Sequence, residues 1–299
     1  PPPPAMTRRP RPAALYCIAA ILAAGPAGAD EPPRLAELSI ALEGARLTDT
    51  NADETFPGSI TLEARFFLPR LTPDATPPAL QPMLQRTTTL GVTAFAGQYD
   101  GSADRLRTPF AWQEDARAGG TIFADVYAAP FLPIHVEAGV SAAPRDLELL
   151  ALGTIGARIW NVRIDVGATV SPHFQGRNHE FTNDLRPSAL FQIEAVLLQR
   201  IDLRLALRSI DHGAAFEFDC DYFATPRLGL FIGVRGANGE IQPDNEFLRR
   251  EELLGFRVGF SYWPLPRLGL TALWLPAWSS TGDTGSFDNR LRLTLAARF

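Results

Sequence analysis

The chain ends in Arg290-Leu-Arg-Leu-Thr-Leu-Ala-Ala-Arg-Phe299. In a β-strand, successive side chains point to opposite faces. Leu291, Leu293, Leu295, Ala297 and Phe299 therefore share one face, and Arg290, Arg292, Thr294, Ala296 and Arg298 share the other. Free in water, such an apolar terminal edge would be a template for aggregation. The pattern calls for a wall with hydrocarbon on one side and a polar interior on the other.

The same alternation runs back through the sequence. Stretches of about ten residues, the length of a transmembrane strand, occur near 36–46, 58–68, 86–97, 120–129, 133–142, 150–159, 161–171, 188–198, 200–209, 214–224, 227–236, 252–263, 267–276 and 290–299. Ile201-Asp-Leu-Arg-Leu-Ala-Leu-Arg208 is the clearest, with Ile201, Leu203, Leu205 and Leu207 on one face and Asp202, Arg204 and Arg208 on the other. The expected fold is all-β: a transmembrane antiparallel up-and-down barrel of about fourteen strands. Twelve is the alternative, because the Pro-rich residues 71–85 lie where a short turn belongs.

The connections fall into two kinds. Phe131-Leu132, Trp160, Gln199-Arg200, Thr225-Pro226 and Pro264-Leu265-Pro266 are very short, and they alternate with longer polar segments at 98–119, 143–149, 172–187, 210–213, 237–251 and 277–289. Short turns at one rim and long loops at the other place the short ones in the periplasm. Tyr127, Trp160, Tyr222, Phe223, Tyr262 and Trp263 sit at turn ends, and Trp274 and Trp278 at a loop end. They are expected to form two aromatic belts at the lipid–water boundaries.

The N-terminus fits export. Met6 reads as the start. Arg8, Arg9 and Arg11 precede an apolar run from Ala13 to Ala24, and Ala27-Gly28-Ala29 supplies an A-x-A cleavage site before Asp30. That order is a secretory signal peptide, leaving residues 30–299 as one barrel domain. Cys17 leaves with the signal, so Cys220 has no intramolecular partner. Formal net charge is −5, mean hydropathy is −0.02 and every basic residue is arginine. The negative balance argues against nucleic acid as a partner.

Alternation also assigns an inward face. The expected lumen-lining set is Arg163, Asp165, Glu194, Arg204, Arg208, Glu217, Asp219, Asp221, Arg227 and Arg235. Glu63, Arg65, Asp125, Glu137, Arg158, Asp202, Arg257, Arg292 and Arg298 share that register. Glu217, Asp219 and Asp221 form an acidic ladder expected to face Arg204, Arg208, Arg227 and Arg235. The chain lacks a Gly-x-Ser-x-Gly elbow, a His-Glu-x-x-His helix and a glycine-rich phosphate loop. His135 falls in the lumen register, and His173, His179 and His212 in loops, so neither a catalytic set nor a metal site is assigned. No cofactor is expected and no enzyme activity is read.

The signal peptide, the terminal aromatic strand and the turn–loop asymmetry together make residues 34–299 similar to monomeric bacterial outer-membrane β-barrels. In size the chain resembles the fourteen-stranded porins, and also outer-membrane barrel families of that size without an assigned function. The resemblance implies an outer-membrane location. It implies that Phe299, Leu295 and Leu293 form the signal read by the barrel-assembly machinery. It also implies lipid and small solutes as the remaining partners of a monomer. The activity expected is passive passage of small hydrophilic solutes through a charged Arg/acidic lumen. Two alternatives stand beside it: a closed structural or adhesion barrel working through its loops, and a lipid hydrolase.

Overall fold

A computed structural model describes residues 34–49, 54–55, 58–72, 76–99, 112–143, 146–177, 180–210, 213–241, 249–281 and 284–299. The signal segment lies outside the described residues. Fourteen long strands form one antiparallel sheet: β1 Arg34–Asp49, β2 Gly58–Leu71, β3 Thr88–Tyr99, β4 Trp112–Ala129, β5 Leu132–Ala143, β6 Asp146–Ile159 and β7 Val162–Arg177. The rest are β8 Glu180–Leu197, β9 Ile201–Ile210, β10 Gly213–Thr225, β11 Leu228–Ile241, β12 Arg249–Leu265, β13 Leu268–Thr281 and β14 Thr284–Arg298. A two-residue strand, Glu54–Thr55, adds a short pairing to the upper end of β1.

Each strand pairs with its sequence neighbours, and β14 pairs with β1 in the register Glu37↔Arg298 through Asp49↔Ser286. Phe299 completes the seam. Its N–H donates to the Ala36 carbonyl at 2.9 Å, and its own carbonyl accepts from the Leu35 N–H at 2.7 Å. Closure removes the unpaired edges that hydrocarbon would not tolerate.

The alternation in sequence becomes inside and outside. Leu38, Leu42, Leu62, Val92, Ile122, Val136, Ile155, Val166, Ile232 and Leu293 are exposed outward, while Asp165, Asp202, Asp219, Asp221, Arg257 and Arg298 are buried on the inner face. This is the reverse of a water-soluble fold, and only lipid makes it favourable.

All fourteen expected strands are present, but several are longer than expected. β8 is 18 residues and β4 is 18 residues, well beyond the roughly 9–11 that cross the hydrocarbon. Much of 112–119, 172–187 and 277–289, expected as loop, is instead paired strand. Backbone pairing continues past the membrane because each residue still gains a ladder hydrogen bond. The tight turns fall at 130–131, 160–161, 198–200, 226–227 and 266–267.

The remaining turn at that rim is the exception. Between β2 and β3 the chain forms a 3-10 turn, Pro78–Leu80, running into α1, Gln81–Leu84. The strand count of fourteen therefore stands, and the Pro-rich stretch is an enlarged turn rather than a lost pair of strands.

The barrel predicts a depth-dependent penalty on its outer face. Ile232→Arg should destabilise the folded barrel by about 2–4 kcal/mol, as arginine does near a bilayer midplane. Urea unfolding in lipid bilayers measures this, and an unchanged midpoint would mean that Ile232 does not face lipid.

Candidate functional site

Charge enters the barrel on the inward positions of neighbouring strands. On β9 and β10, Asp202 lies opposite Asp221 and Arg204 opposite Asp219. Two carboxylates directly opposite would repel. Arg204 relieves the repulsion, with Nε 3.1 Å from Asp202 Oδ2 and Nη2 2.5 Å from Asp221 Oδ2. Arg257, two strands from β10 on β12, places Nη1 3.1 Å from Asp219 Oδ1 and 2.7 Å from Asp221 Oδ1.

Arg257 reaches these acids across Gly233 on the intervening strand β11. A Cβ at Gly233 would stand 2.1 Å from Asp219 Oδ1, so only glycine leaves room for the carboxylate. Arg235 pairs with Glu217 in register, at 3.1 Å. Arg208 has Glu217 as its charged neighbour.

A second group lies on β4, β6 and β7. Arg163 holds Asp125 bidentately, at 2.9 and 3.0 Å, and Asp165 at 2.6 Å. The fork geometry needs a planar guanidinium, which a lysine could not supply. Asp165 rests on Gly156 as Asp219 rests on Gly233; a Cβ there would meet Asp165 Oδ1 at 2.0 Å. Glu194 on β8 lies in register with Arg163 on one side and Arg204 on the other, joining the two groups.

Glu217, Asp219 and Asp221 thus lie beside Arg235, Arg204 and Arg257, and one residue expected beside them does not. Arg227 is not a wall residue. Pro226 and Arg227 form a tight turn, and Arg227 is exposed with Nη1 3.5 Å from the Pro264 carbonyl. Strand alternation cannot be extended through a turn residue. Its place beside the acids belongs to Arg257, which the register Asp219↔Gly233↔Arg257 brings into line across β11.

Accessibility then separates the inward charges. The side chains of Asp219 and Asp221 are each only 5% exposed. Arg65 is 40% exposed, Asp125 28%, Arg204 26% and Glu217 20%. The first pair is locked structure, and the second set reaches water inside the barrel. Arg65 also contacts Glu63 on its own strand.

Several aromatic side chains expected in the lipid belts point inward. Phe223 and Trp263 are buried, and the Tyr127 hydroxyl accepts from Arg158 Nη1 at 3.1 Å. The Arg298 guanidinium lies 4.9 Å from the Trp263 ring centre. Tyr222, Tyr262, Trp274 and Trp278 face outward, as expected, and Trp160 projects from its turn. A belt residue and its lumen-facing neighbour differ by one position, so nearness to a turn alone does not choose between them.

His135 is inward, ring-stacked on Phe123 at 6.2 Å, with Nε2 3.7 Å from Glu137 Oε2. It cannot meet membrane lipid. The His173 side chain, His179 and His212 lie outside the described residues. Among the described residues no cluster of His, Cys, Asp and Glu forms a metal site. Leu293 and Phe299 are outward and exposed, and Leu295 is outward and partly covered.

The mouth at the short-turn rim holds a feature that the alternation did not foreshadow. Leu80, Val196, Phe223, Phe231, Leu273 and Leu275 form one buried apolar cluster, with Met83 and Leu84 packed against it. The wall members come from β8, β10, β11 and β13, far around the barrel from the β2–β3 turn that carries Leu80. The turn therefore lies across the lumen. Arg158 on β6 donates to the Met83 carbonyl, and Arg298 Nη1 donates to Gln81 Oε1 at 3.1 Å.

Lipid-facing outside, charged inside and closed by its own last strand, the protein has the fold of the outer-membrane β-barrels. Among solved structures it is similar in fold to the outer membrane protein Omp33 of Acinetobacter baumannii. That similarity has a TM-score of 0.52 and 15% identity, over 89% of this chain and 99% of that one. An outer membrane channel from Pseudomonas putida F1 also matches, with a TM-score of 0.49 and 10% identity over 90% of this chain and 97% of that one. No protein-family model and no curated protein sequence matches.

The ion network has a stability consequence. Arg257→Met removes the guanidinium that Asp219 and Asp221 share in a buried site, leaving Arg204 as the remaining ion pair of Asp221, and should cost about 3–5 kcal/mol. Arg65→Met, at a half-buried and more accessible position, should cost less than that. Unfolding midpoints of the two variants in one lipid test the order, and equal losses would refute the division into locked and water-facing charges.

Proposed function

We propose that the protein is a passive channel for small hydrophilic solutes, with its charged inner wall as the selectivity surface. The observation that carries this reading is the set of inward charges left in contact with water inside a lipid-embedded wall. Arg65, Asp125, Arg204 and Glu217 are the main members. Fixed charges of this kind select permeating ions by their field. A barrel of fourteen strands is also wider than the roughly eight-stranded size that side chains alone fill. The channel named in the Pseudomonas putida structure is compatible with the reading.

On this proposal lipid, small solutes and the barrel-assembly machinery are the partners, the last recognising Phe299, Leu295 and Leu293. The chain works as a monomer and carries no enzyme activity. A closed barrel acting through its outer loops is the second reading, favoured by the turn that crosses the mouth.

Current through the purified protein in a planar bilayer tests the first reading. Steady conductance is expected, and a folded barrel that never conducts would turn the assignment to the closed barrel. In a salt gradient Arg65→Gln should move the reversal potential toward cation preference, and more than Arg257→Gln does, because Arg257 is screened by its own two acids. The opposite order would remove Arg65 from the selectivity surface.

A further inference from the structure

The inward face of this barrel is polar on most strands, so an apolar patch inside it needs an occupant. β10 carries Glu217, Asp219 and Asp221 inward and then Phe223 at the rim end. β8 carries Glu194 and then Val196. β11 and β13 add Phe231, Leu273 and Leu275. Left facing water, these side chains would expose apolar surface at the exit of a hydrophilic channel. They are covered by Leu80, Met83 and Leu84 of the chain's own β2–β3 turn. Patch and turn are complementary parts of one contact.

The turn is also built as a unit. Its N-terminal turn is closed by the Leu80 N–H to the Pro77 carbonyl at 2.9 Å, and Gln85 and Thr87 donate back to Gln81 and Pro82 at 2.9 and 3.0 Å. At its base, Gln85 clasps Thr72: the Thr72 N–H donates to Gln85 Oε1 at 2.9 Å, and Gln85 Nε2 donates to the Thr72 carbonyl at 2.7 Å. A clasped base lets the described residues 76–84 move as one arm.

The two arginines that hold the arm keep other partners in the wall. Arg158 also donates to the Trp160 carbonyl at 3.0 Å and to the Tyr127 hydroxyl at 3.1 Å. Arg298 also pairs with Glu37 at 2.5 Å. Withdrawal of the arm would therefore leave neither guanidinium buried without a partner, the usual obstacle to breaking such a contact.

From this we propose that residues 76–86, in the described part of the β2–β3 turn, are a releasable plug that closes the periplasmic mouth. The Val196–Phe223–Phe231–Leu273–Leu275 patch is its seat, and Leu80 is its anchor. The proposal rests on the channel reading. It places control of flow at the periplasmic rim, in a segment whose docked state is held by apolar burial and two arginine latches.

The test uses protein purified from outer membranes, with heat-modifiable mobility as the check of folding. Planar-bilayer current is compared for the parent, Leu80→Asn, Phe223→Asn on the seat, and a variant in which residues 76–86 are replaced by Asn-Gly. Leu80→Asn should raise the open-to-closed ratio roughly tenfold or more, since the docked state loses the burial of one leucine side chain. Phe223→Asn should act in the same direction from the wall, and the shortened turn should hold the channel open. Equal current in the parent and all folded variants would overturn the plug and leave the channel reading standing. Folded variants that all stay silent would overturn both.

Discussion

Closure of the β1–β14 seam is the constraint on which the rest depends. In hydrocarbon an unpaired backbone group costs several kcal/mol, so a sheet of this kind exists in a membrane only if its last strand finds its first. The seam joins Phe299 to Leu35 and Ala36 and runs to Asp49↔Ser286. Once it is made, the pleat divides every strand into a lipid face and a lumen face. A one-residue slip at any ladder would send arginines into lipid and leucines into the lumen. Register and closure thus enforce one another.

The interior obeys a second rule. Charges turned away from lipid still lose water, and those that lose most must be paired. Asp219 and Asp221 meet this through Arg204 and Arg257, and Asp165 through Arg163. Gly233 and Gly156 provide the gaps in which the carboxylates lie. The arginine-only basic composition suits this wall, because one guanidinium can hold two carboxylates from different strands. Arg65 and Glu217 are also paired, with Glu63 and Arg235, but their side chains stay more accessible than those of Asp219 and Asp221.

The β2–β3 turn breaks the pattern of its rim. Other turns there are two or three residues; this one folds inward and exchanges water at the mouth for a cluster of leucine, valine and phenylalanine. In sequence it announced itself only as a proline-rich interruption. Its partners lie on strands far downstream, and no local periodicity pairs Leu80 with Phe223 or Gln81 with Arg298.

The sequence by itself determined the all-β barrel class, about fourteen strands with twelve left open, and the two faces of the terminal strand. Each of these is written in period-two alternation, a local property that lipid on one side makes strict. Tertiary structure alone decided how accessible each inward charge is, that Arg257 reaches over Gly233 to the acids of β10, and that one turn lies across the lumen. The first two depend on packing between neighbouring strands, the last on contacts across the ring. A barrel brings together side chains on strands separated by many residues, and only closure sets which of them meet.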